Sequence, residues 1–144
     1  MSQARYDLVV RTPTVEEHLR LRTIAGLTPF APEAIAQGLE GTVHAVVILH
    51  EGIAIGMGRI IGDGGCFFQV VDIAVDPNFQ GRGLGKRIMA ALTEFIEAEL
   101  PATAYVSLIA DGPANKLYEQ YGFIETMPAS RGMFRWASSE RDGA

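Results

Sequence analysis

The residues whose types and spacing point most clearly to chemistry lie in the run Gln80–Arg87, which reads QGRGLGKR. Glycines at 81, 83 and 85 are interleaved with the cationic residues Arg82 and Lys86, and an apolar-periodic segment follows at once. A helix that begins just after such glycines exposes its first backbone N–H groups, and its dipole favours an anion there. Glycine also lets a ligand approach the backbone closely. The run therefore predicts a cradle for a pyrophosphate.

Three other interpretations of this run compete with the cradle. A dinucleotide-binding GxGxxG motif would need a glycine where Lys86 stands, a strand directly before the run, and an acidic residue about 20 residues later. A phosphate loop of the GxxxxGK[ST] type would need Ser or Thr where Arg87 stands. A strand-to-helix turn without a ligand accounts for the glycines alone. The cradle accounts for every residue of the run.

Hydrophobic periodicity and turn residues predict the elements that must position this run. Strands are predicted over Tyr6–Arg11, Val43–His50, Ile53–Ile61, Cys66–Val75, Ala104–Ala110, Phe123–Met127 and Gly132–Trp136. Helices are predicted from the Thr14 capping box to Ala25 and over Pro32–Leu39, Leu84–Leu100 and Pro113–Tyr121. Gly56 and Gly58 share one face of their strand, where a neighbouring group is expected to lie close. The order predicts an α/β (α+β) fold with a mixed, mostly antiparallel sheet flanked by helices. Ala104–Ala110 is expected to lie parallel to Cys66–Val75 through a right-handed crossover.

Length and composition limit the class of protein. The 144 residues, 48% of them hydrophobic, fit a single domain over 1–137 with a polar tail over 138–144. No apolar run is long enough to span a membrane, and no signal peptide pattern is visible. The net charge of −5 argues against nucleic acid as a partner. We expect no membrane association.

The cysteine and histidines give weaker signals. A single cysteine, Cys66, excludes an internal disulfide framework and suits a reducing cytoplasm, and its predicted strand favours a core thiol. His18 is placed on a helix surface, and His44 and His50 flank a strand. The sequence has no HExxH motif and no cysteine cluster, so no metal site is expected.

Two motifs carry a resemblance to a known family. QGRGLG is similar to the R/Q-x-x-G-x-G/A coenzyme A signature of the GNAT superfamily of N-acetyltransferases, and VVDIAVDPNF before it resembles that family's lead-in strand and loop. NKLYEQYGF, Asn115–Phe123, is similar to the family's second hallmark. The similarity is sharp over residues 66–123 and consistent in element order over most of the chain.

The resemblance implies an N-acetyltransferase in which an amine attacks the thioester of acetyl-CoA directly, with no metal. The acyl group would lie where the central parallel strands, Cys66–Val75 and Ala104–Ala110, splay apart. Backbone groups near Ile73 and Val75 would pair with the pantetheine arm, and one N–H would polarise the thioester carbonyl. The residues that the resemblance implies for coenzyme A binding are Ile73, Ala74, Val75, Gln80, Gly81, Arg82, Gly83, Leu84, Gly85, Lys86, Asn115 and Tyr118.

The resemblance also implies roles for two catalytic groups. Tyr118 falls where the family often has a general acid, which would protonate the departing thiolate; Tyr121 is its rival, and plain helix packing is the alternative for both. Some members of the family place a glutamate base where this chain has Gln69. Asp72 is the candidate base instead, although strand alternation puts it on the opposite face from Gln69 unless a bulge intervenes.

The acceptor is expected to be a small primary amine with an apolar or aromatic body. Its pocket is predicted from the loops that carry Phe30, Phe67, Phe68 and Met133. Two alternatives stay open: a protein acetyltransferase that acts on a lysine or an N-terminus, and a non-catalytic acyl-CoA sensor. The final apolar hairpin is also a candidate for pairing across a homodimer.

Overall fold

A single five-stranded sheet organises the fold. The computed structural model describes residues 5–138 and 140. The strands are β1 (Asp7–Val10), β2 (Thr42–His50), β3 (Ile53–Gly62), β4 (Phe67–Val75) and β5 (Tyr105–Ser107), in that spatial order. The helices are α1 (Val15–Ile24), α2 (Pro32–Leu39), α3 (Leu84–Glu99) and α4 (Asn115–Glu119), with short 3₁₀ turns at Pro77–Phe79 and Gly112–Ala114.

The sheet is mixed and mostly antiparallel. β1, β2, β3 and β4 pair antiparallel in succession, and β5 pairs parallel with β4. This confirms the predicted fold class and the parallel pair. Among the described helices, none combines the length and the apolar character that a membrane crossing requires.

Helices cover both faces of the sheet. On one face α3 buries Leu84, Ile88, Met89 and Leu92 completely or nearly so. Each such side chain contributes roughly 1.5–3 kcal/mol on burial. A Cβ on Gly58 would lie 2.6 Å from Ile88 Cγ2, so α3 packs this close only because β3 carries glycine there. α1 covers the other face through Leu21, against a second cluster in β2, β3 and β4.

Local signals fix the ends of the helices. Thr14 Oγ1 accepts the Glu17 N–H at 3.1 Å, and a Glu17 carboxylate oxygen accepts the Thr14 N–H at 2.9 Å, which confirms the capping box at the start of α1. Gly26, with φ of +82°, ends that helix in the left-handed conformation. By contrast, no side chain of the described residues caps α3, which begins after Gly83.

A bulge interrupts β4 at Asp72. Met57 pairs with Ala74 and Arg59 with Val71, so one residue of β3 faces two residues of β4. Asp72 takes a φ of +60°, which is unusual for a residue other than glycine. The extra residue shifts the alternation, so that Val71 and Asp72 line the same cavity. This bulge is the exception to strict alternation between Gln69 and Asp72 that the sequence analysis left open.

The predicted final strand pair is wrong for the described chain. Phe123–Met127 and Gly132–Trp136 form no strand there, and one backbone bond, from Ser130 N–H to Thr126 C=O, closes the turn between them. β5 is likewise shorter than predicted and ends at Ser107. An apolar pattern becomes a strand only where a ladder forms, and none of the ladders among the described residues includes these segments.

Two placements of single residues also differ from expectation. Cys66 is exposed and precedes β4, because Asp63 accepts N–H bonds from Gly65, Cys66 and Phe67 and holds them in a turn. His18 is buried, 3% exposed, since its ring turns inward to an ion pair in the sheet. Most of the predicted polar tail, 138–144, lies outside the described residues.

Candidate functional site

β4 and β5 separate where the sequence analysis expected them to splay, although β5 is the last strand of the sheet and not a central one. The β4–β5 ladder has three pairs and ends at Gln69 and Ser107. Beyond it lies a cavity of about 340 Å³, which we call the V cavity, between residues 69–73 of β4 and the chain that follows β5. Unpaired strand edges next to a cavity suit a ligand that restores backbone pairing. This opening contains Ile73 and Tyr118 among its lining residues.

The glycine-rich turn is open toward solvent. Gly81 and Gly83 have φ of +79° and +77°, and a Cβ built on either would meet nothing within 4 Å. Gly85 lies in the first turn of α3, and its Cβ would sit 3.6 Å from Leu117. The uncapped N–H groups of α3 therefore face a space that a phosphate can enter. This geometry fits the pyrophosphate of coenzyme A.

The cationic residues of the turn divide into two groups. The Arg82 guanidinium donates to the Tyr6 hydroxyl and lies 5.5 Å from the Phe79 ring centroid. Arg87 Nη1 donates to the Tyr6 carbonyl at 2.8 Å. Both arginines therefore tie the turn and the start of α3 to Tyr6, which precedes β1, while the Lys86 side chain is exposed beside the open helix end.

Tyr118 of α4 and Tyr121, which follows that helix, have different surroundings. The Tyr121 hydroxyl donates to the Lys86 carbonyl at 3.0 Å and so joins the turn after α4 to α3. Tyr118 is half-buried and lines the V cavity. Burial raises the pKa of the Tyr118 phenol, and the charge of Asp111 raises it further. Tyr118 therefore stays protonated at neutral pH, as a proton donor requires.

Besides Arg82, two further polar side chains of the implied coenzyme A site are already engaged. Gln80 Nε2 donates to the Val75 carbonyl at 3.3 Å, which links the turn to the end of β4. Asn115 Nδ2 donates to a Glu119 carboxylate oxygen at 3.2 Å within α4. Ala74, in contrast, is buried on the α1 face, so only its backbone is available to a ligand.

Asp72 is the centre of a buried ion cluster. Its Oδ2 accepts from His18 Nε2 at 2.9 Å and from Arg59 Nε at 2.8 Å, and its Oδ1 accepts from Arg22 Nη1 at 2.9 Å. Burial raises the pKa of Asp72, but the hydrogen bonds from His18 and Arg59 outweigh burial and hold the pKa well below its usual 3.8. A carboxylate with both oxygens occupied and a lowered pKa is a weak proton acceptor.

A second cavity, of about 310 Å³, lies between α1, α2 and the sheet and is also lined by Asp72. We call it the α1–α2 cavity. Phe30 lines it, but the other three residues expected to form an acceptor pocket do not. Phe68 is buried on the α3 face, Phe67 is exposed at the sheet edge, and Met133 lines a separate groove. Alternation along β4 separates Phe67 from Phe68.

Sequence reasoning missed four residues of this region. Arg22, Arg59 and His18 come from distant parts of the chain, and no local pattern singles them out. Asp111 lines the V cavity together with Tyr118 and follows β5, which is parallel to β4. Positions after the carboxyl ends of parallel strands often carry ligand-binding groups, and that signal could have identified Asp111.

Comparison with known proteins identifies the family. Residues 16–136 match the model of the acetyltransferase (GNAT) domain, and the chain belongs to that family. An uncharacterized N-acetyltransferase ycf52 of Gracilaria tenuistipitata var. liui is 34% identical over 80 residues, which are 56% of this chain and 43% of the relative. The chain thus spans less than half the length of the curated relatives that it matches.

Solved structures agree with the fold. A probable acetyltransferase of unknown function from meticillin-resistant Staphylococcus aureus is 42% identical, with a TM-score of 0.86, and the match covers 92% of this chain and 99% of that one. An aminoglycoside N-acetyltransferase in complex with CoA is 19% identical, with a TM-score of 0.63 over 94% of this chain and 96% of its own. The second likeness concerns the fold alone. The matched family model and the relatives named above are thus all of acetyltransferases.

Proposed function

We propose that this chain transfers the acetyl group of acetyl-CoA to the primary amine of a small molecule by direct attack. The observation that carries the proposal is the V cavity, which opens where the β4–β5 ladder ends and contains the protonated Tyr118. Bound acetyl-CoA would supply an activated acetyl thioester. The uncapped start of α3 and the glycines at 81, 83 and 85 would hold its pyrophosphate.

The chain's own residues would position the reacting groups. Backbone groups of β4 from Ile73 to Val75 would align the pantetheine arm and present an N–H to the thioester carbonyl. Tyr118 would hold a proton on its hydroxyl for the leaving sulfur. We assign Tyr118 rather than Tyr121 because the Tyr121 hydroxyl already donates to Lys86.

Asp72 would position the acceptor site rather than accept a proton. Its three donors fix α1 and β3 against the β4 bulge, between the V cavity and the α1–α2 cavity. Asp72 and Asp111 both line the V cavity, and of the two Asp111 is exposed. Asp111 is therefore better placed than Asp72 to attract a cationic amine. The volumes of the two cavities, about 340 and 310 Å³, are of the size that small ligands fill.

A thiol-release assay with acetyl-CoA tests this function directly. We would screen small aliphatic and aromatic amines beside lysine-containing and N-terminal peptides, and record thermal unfolding with and without acetyl-CoA. Binding to the folded state raises the melting temperature. Thiol release with small amines supports the proposal, and release with peptides alone would favour a protein acetyltransferase. A thermal shift without release from any acceptor would favour an acyl-CoA sensor.

A further inference from the structure

Two arginines at the α1–α2 cavity share one carboxylate. Arg22 Nη1 lies 2.9 Å from one oxygen of Asp72, and Arg59 Nε lies 2.8 Å from the other. Among the described residues, no other carboxylate forms an ion pair with either guanidinium. Even without a charge on His18, the cluster therefore carries two positive charges against one negative charge. The two arginine side chains are only 13% and 10% exposed, so water compensates the excess charge poorly.

Arg22 borders both cavities of the candidate site. It lines the V cavity and the α1–α2 cavity alike. Its Nε and Nη2 donate to the Thr28 carbonyl at 2.8 and 2.6 Å, and its Nη1 donates to Asp72. A guanidinium has five N–H groups, so one on Nη1 and one on Nη2 have no acceptor among the described residues. The Phe30 ring centroid lies 4.8 Å from Arg22 Cζ. The guanidinium is thus fixed in orientation and keeps two donors for a ligand.

Arg59 adds a further donor group at the α1–α2 cavity. Its Nε donates to Asp72 at 2.8 Å, and its Nη1 donates to Thr42 Oγ1 at 2.7 Å. Its Nη2 has no acceptor among the described residues. Solvent reaches this atom, because the polar side-chain atoms that the described fold buries without a partner are His18 Nδ1 and Thr93 Oγ1. The cavity that Arg59 lines therefore has unused guanidinium donors as well as an excess of positive charge.

The surroundings of these donors are an apolar space on one side and a carboxylate on the other. Beside the ion cluster, the α1–α2 cavity is lined by Phe30, Ala34, Ile35, Gly38, Ile61 and Val71. The V cavity, which Arg22 also lines, contains the exposed carboxylate of Asp111 and the Tyr118 phenol. Arg22 therefore adjoins an apolar space and a space with a negative charge beside the proposed proton donor. One small molecule with a carboxylate, an amine and an apolar body would match all three features.

We propose that the acceptor is an amino acid with an apolar side chain, and that its carboxylate binds Arg22. The side chain would occupy the α1–α2 cavity, and the amine would enter the V cavity beside Asp111. A carboxylate matches the planar donors of a guanidinium and supplies the negative charge that the cluster lacks. A phosphate, with close to two negative charges, would exceed the single positive charge in excess. The position of the amine rests on the proposed function, whereas the carboxylate site does not.

Calorimetry in the presence of CoA, which has no acyl group to transfer, measures this recognition without turnover. The probes are phenylalanine, phenylalaninamide and phenethylamine, which share a benzyl body and an amine; only phenylalanine has a carboxylate. We expect phenylalanine to bind at least about 10-fold more tightly than the other two, because only its carboxylate accepts hydrogen bonds from the charged guanidinium. Leucine, leucinamide and isoamylamine form a second series with a smaller body. If the carboxylate strengthens binding in neither series, the proposal is wrong, and this comparison needs no variant.

Substitution of Arg22 should remove the preference for the carboxylate. In Arg22→Gln, phenylalanine should bind about 10-fold more weakly than to the wild type, while the affinity for phenylalaninamide should not change. Arg22→Lys keeps the charge but not the planar donors, so its affinity for phenylalanine should be intermediate. Arg20→Gln is the matched control, because Arg20 is also in α1 but donates to the Ala54 carbonyl and lines neither cavity. An Arg22→Gln variant that is folded by circular dichroism and still prefers phenylalanine would overturn the assignment.

Thiol release separates this inference from the proposed function. With acetyl-CoA, Arg22→Gln should raise KM for phenylalanine at least about 10-fold and change kcat little, since the carboxylate contact is the same before and during the reaction. Preferential binding of phenylalanine without thiol release from any acceptor would count against the proposed function alone. Thiol release from phenethylamine as efficient as that from phenylalanine would leave the proposed function intact and overturn the amino-acid acceptor.

Discussion

Arg59 and Asp72 form a buried ion pair across the β3–β4 bulge, with 2.8 Å between Nε and Oδ2. The pair is part of a cluster in which His18 and Arg22 approach the same carboxylate from α1. A buried charge without its partner is costly, whereas a paired one contributes modestly to stability. Asp72, at the centre of the cluster, has a left-handed backbone conformation. Such a conformation persists where neighbouring contacts hold the residue in place.

Asp72→Asn should therefore destabilise the fold strongly. Removing the charge leaves the buried Arg59 guanidinium and the partly buried Arg22 guanidinium without their carboxylate, which costs about 3–5 kcal/mol in the free energy of unfolding. Urea unfolding at pH 7 measures the loss. Asp7→Asn is the control, because its ion pair with Arg5 is exposed and solvent screens such pairs, so its loss should change the stability little. Equal losses in the two variants would contradict the assignment of the cluster.

The contribution of Asp72 should depend on pH in a defined window. Its folded pKa lies below the unfolded value of 3.8, so the stabilisation is complete above that pH and declines as pH falls toward the folded pKa. The contribution of Asp72 to the free energy of unfolding falls by at most about 1.4 kcal/mol for each pH unit. Urea unfolding from pH 7 to pH 2.5 should show wild type and Asp72→Asn converging only below about pH 4. Convergence above pH 5 would indicate another titrating group.

Gly58→Ala should loosen the contact between α3 and the sheet. The added Cβ would lie 2.6 Å from Ile88 Cγ2 and 2.8 Å from Ile73 Cδ1, so the core must shift at a cost of about 1–3 kcal/mol. Gly38→Ala in α2 is the control, since its Cβ meets nothing within 4 Å and alanine favours a helix. Chemical denaturation should show a loss for the first variant and no loss for the second.

Gly83→Asp should abolish coenzyme A binding in a folded protein. The substitution places a negative side chain at the open start of α3, where a pyrophosphate would lie, and adds strain at a φ of +77°. Gly64→Asp is the matched control, because Gly64 has a φ of +88°, meets nothing within 4 Å and lies in the turn before β4. Calorimetry with CoA should show binding to the control and none to Gly83→Asp. Normal affinity in Gly83→Asp would place the cradle elsewhere.

Tyr118→Phe should lower turnover without weakening acetyl-CoA binding. The variant keeps the ring and removes the hydroxyl, so kcat and kcat/KM should both fall by roughly 10²-fold, the lower end for a lost general acid. Tyr121→Phe loses its bond to the Lys86 carbonyl but no catalytic proton, and its turnover should stay near that of the wild type. Thiol release with one good amine measures both. Full turnover in Tyr118→Phe would remove the phenol from the mechanism.

The same phenol should set the alkaline limit of the rate. Burial and then the Asp111 charge raise its pKa above 10, so activity should persist to high pH before the proton is lost. Asp111→Asn removes the negative charge, and the alkaline limb should move to lower pH because the phenolate is less disfavoured. Glu125→Gln is the control, since Glu125 lies outside the V cavity. If the alkaline limb of the rate profile does not move in Asp111→Asn, the charge of Asp111 does not influence the pKa of Tyr118.

Local patterns in the sequence determined much of this protein. The capping box at Thr14, the bounds of α2 and the glycine-rich start of α3 depend on residues close together in the chain, so periodicity and turn chemistry predicted them. The motif around the glycines also predicted the family, because an anion cradle is built from consecutive backbone groups.

Other features were decided only by the tertiary structure. Asp72 joins His18, Arg22 and Arg59 because a bulge in β4 turns it toward α1, and neither the bulge nor its distant partners has a local signature. The segments at 123–127 and 132–136 have the composition of strands, yet a strand exists only where another strand supplies its hydrogen bonds. Within the described residues neither segment joins a ladder, so composition predicted a hairpin that the described structure lacks.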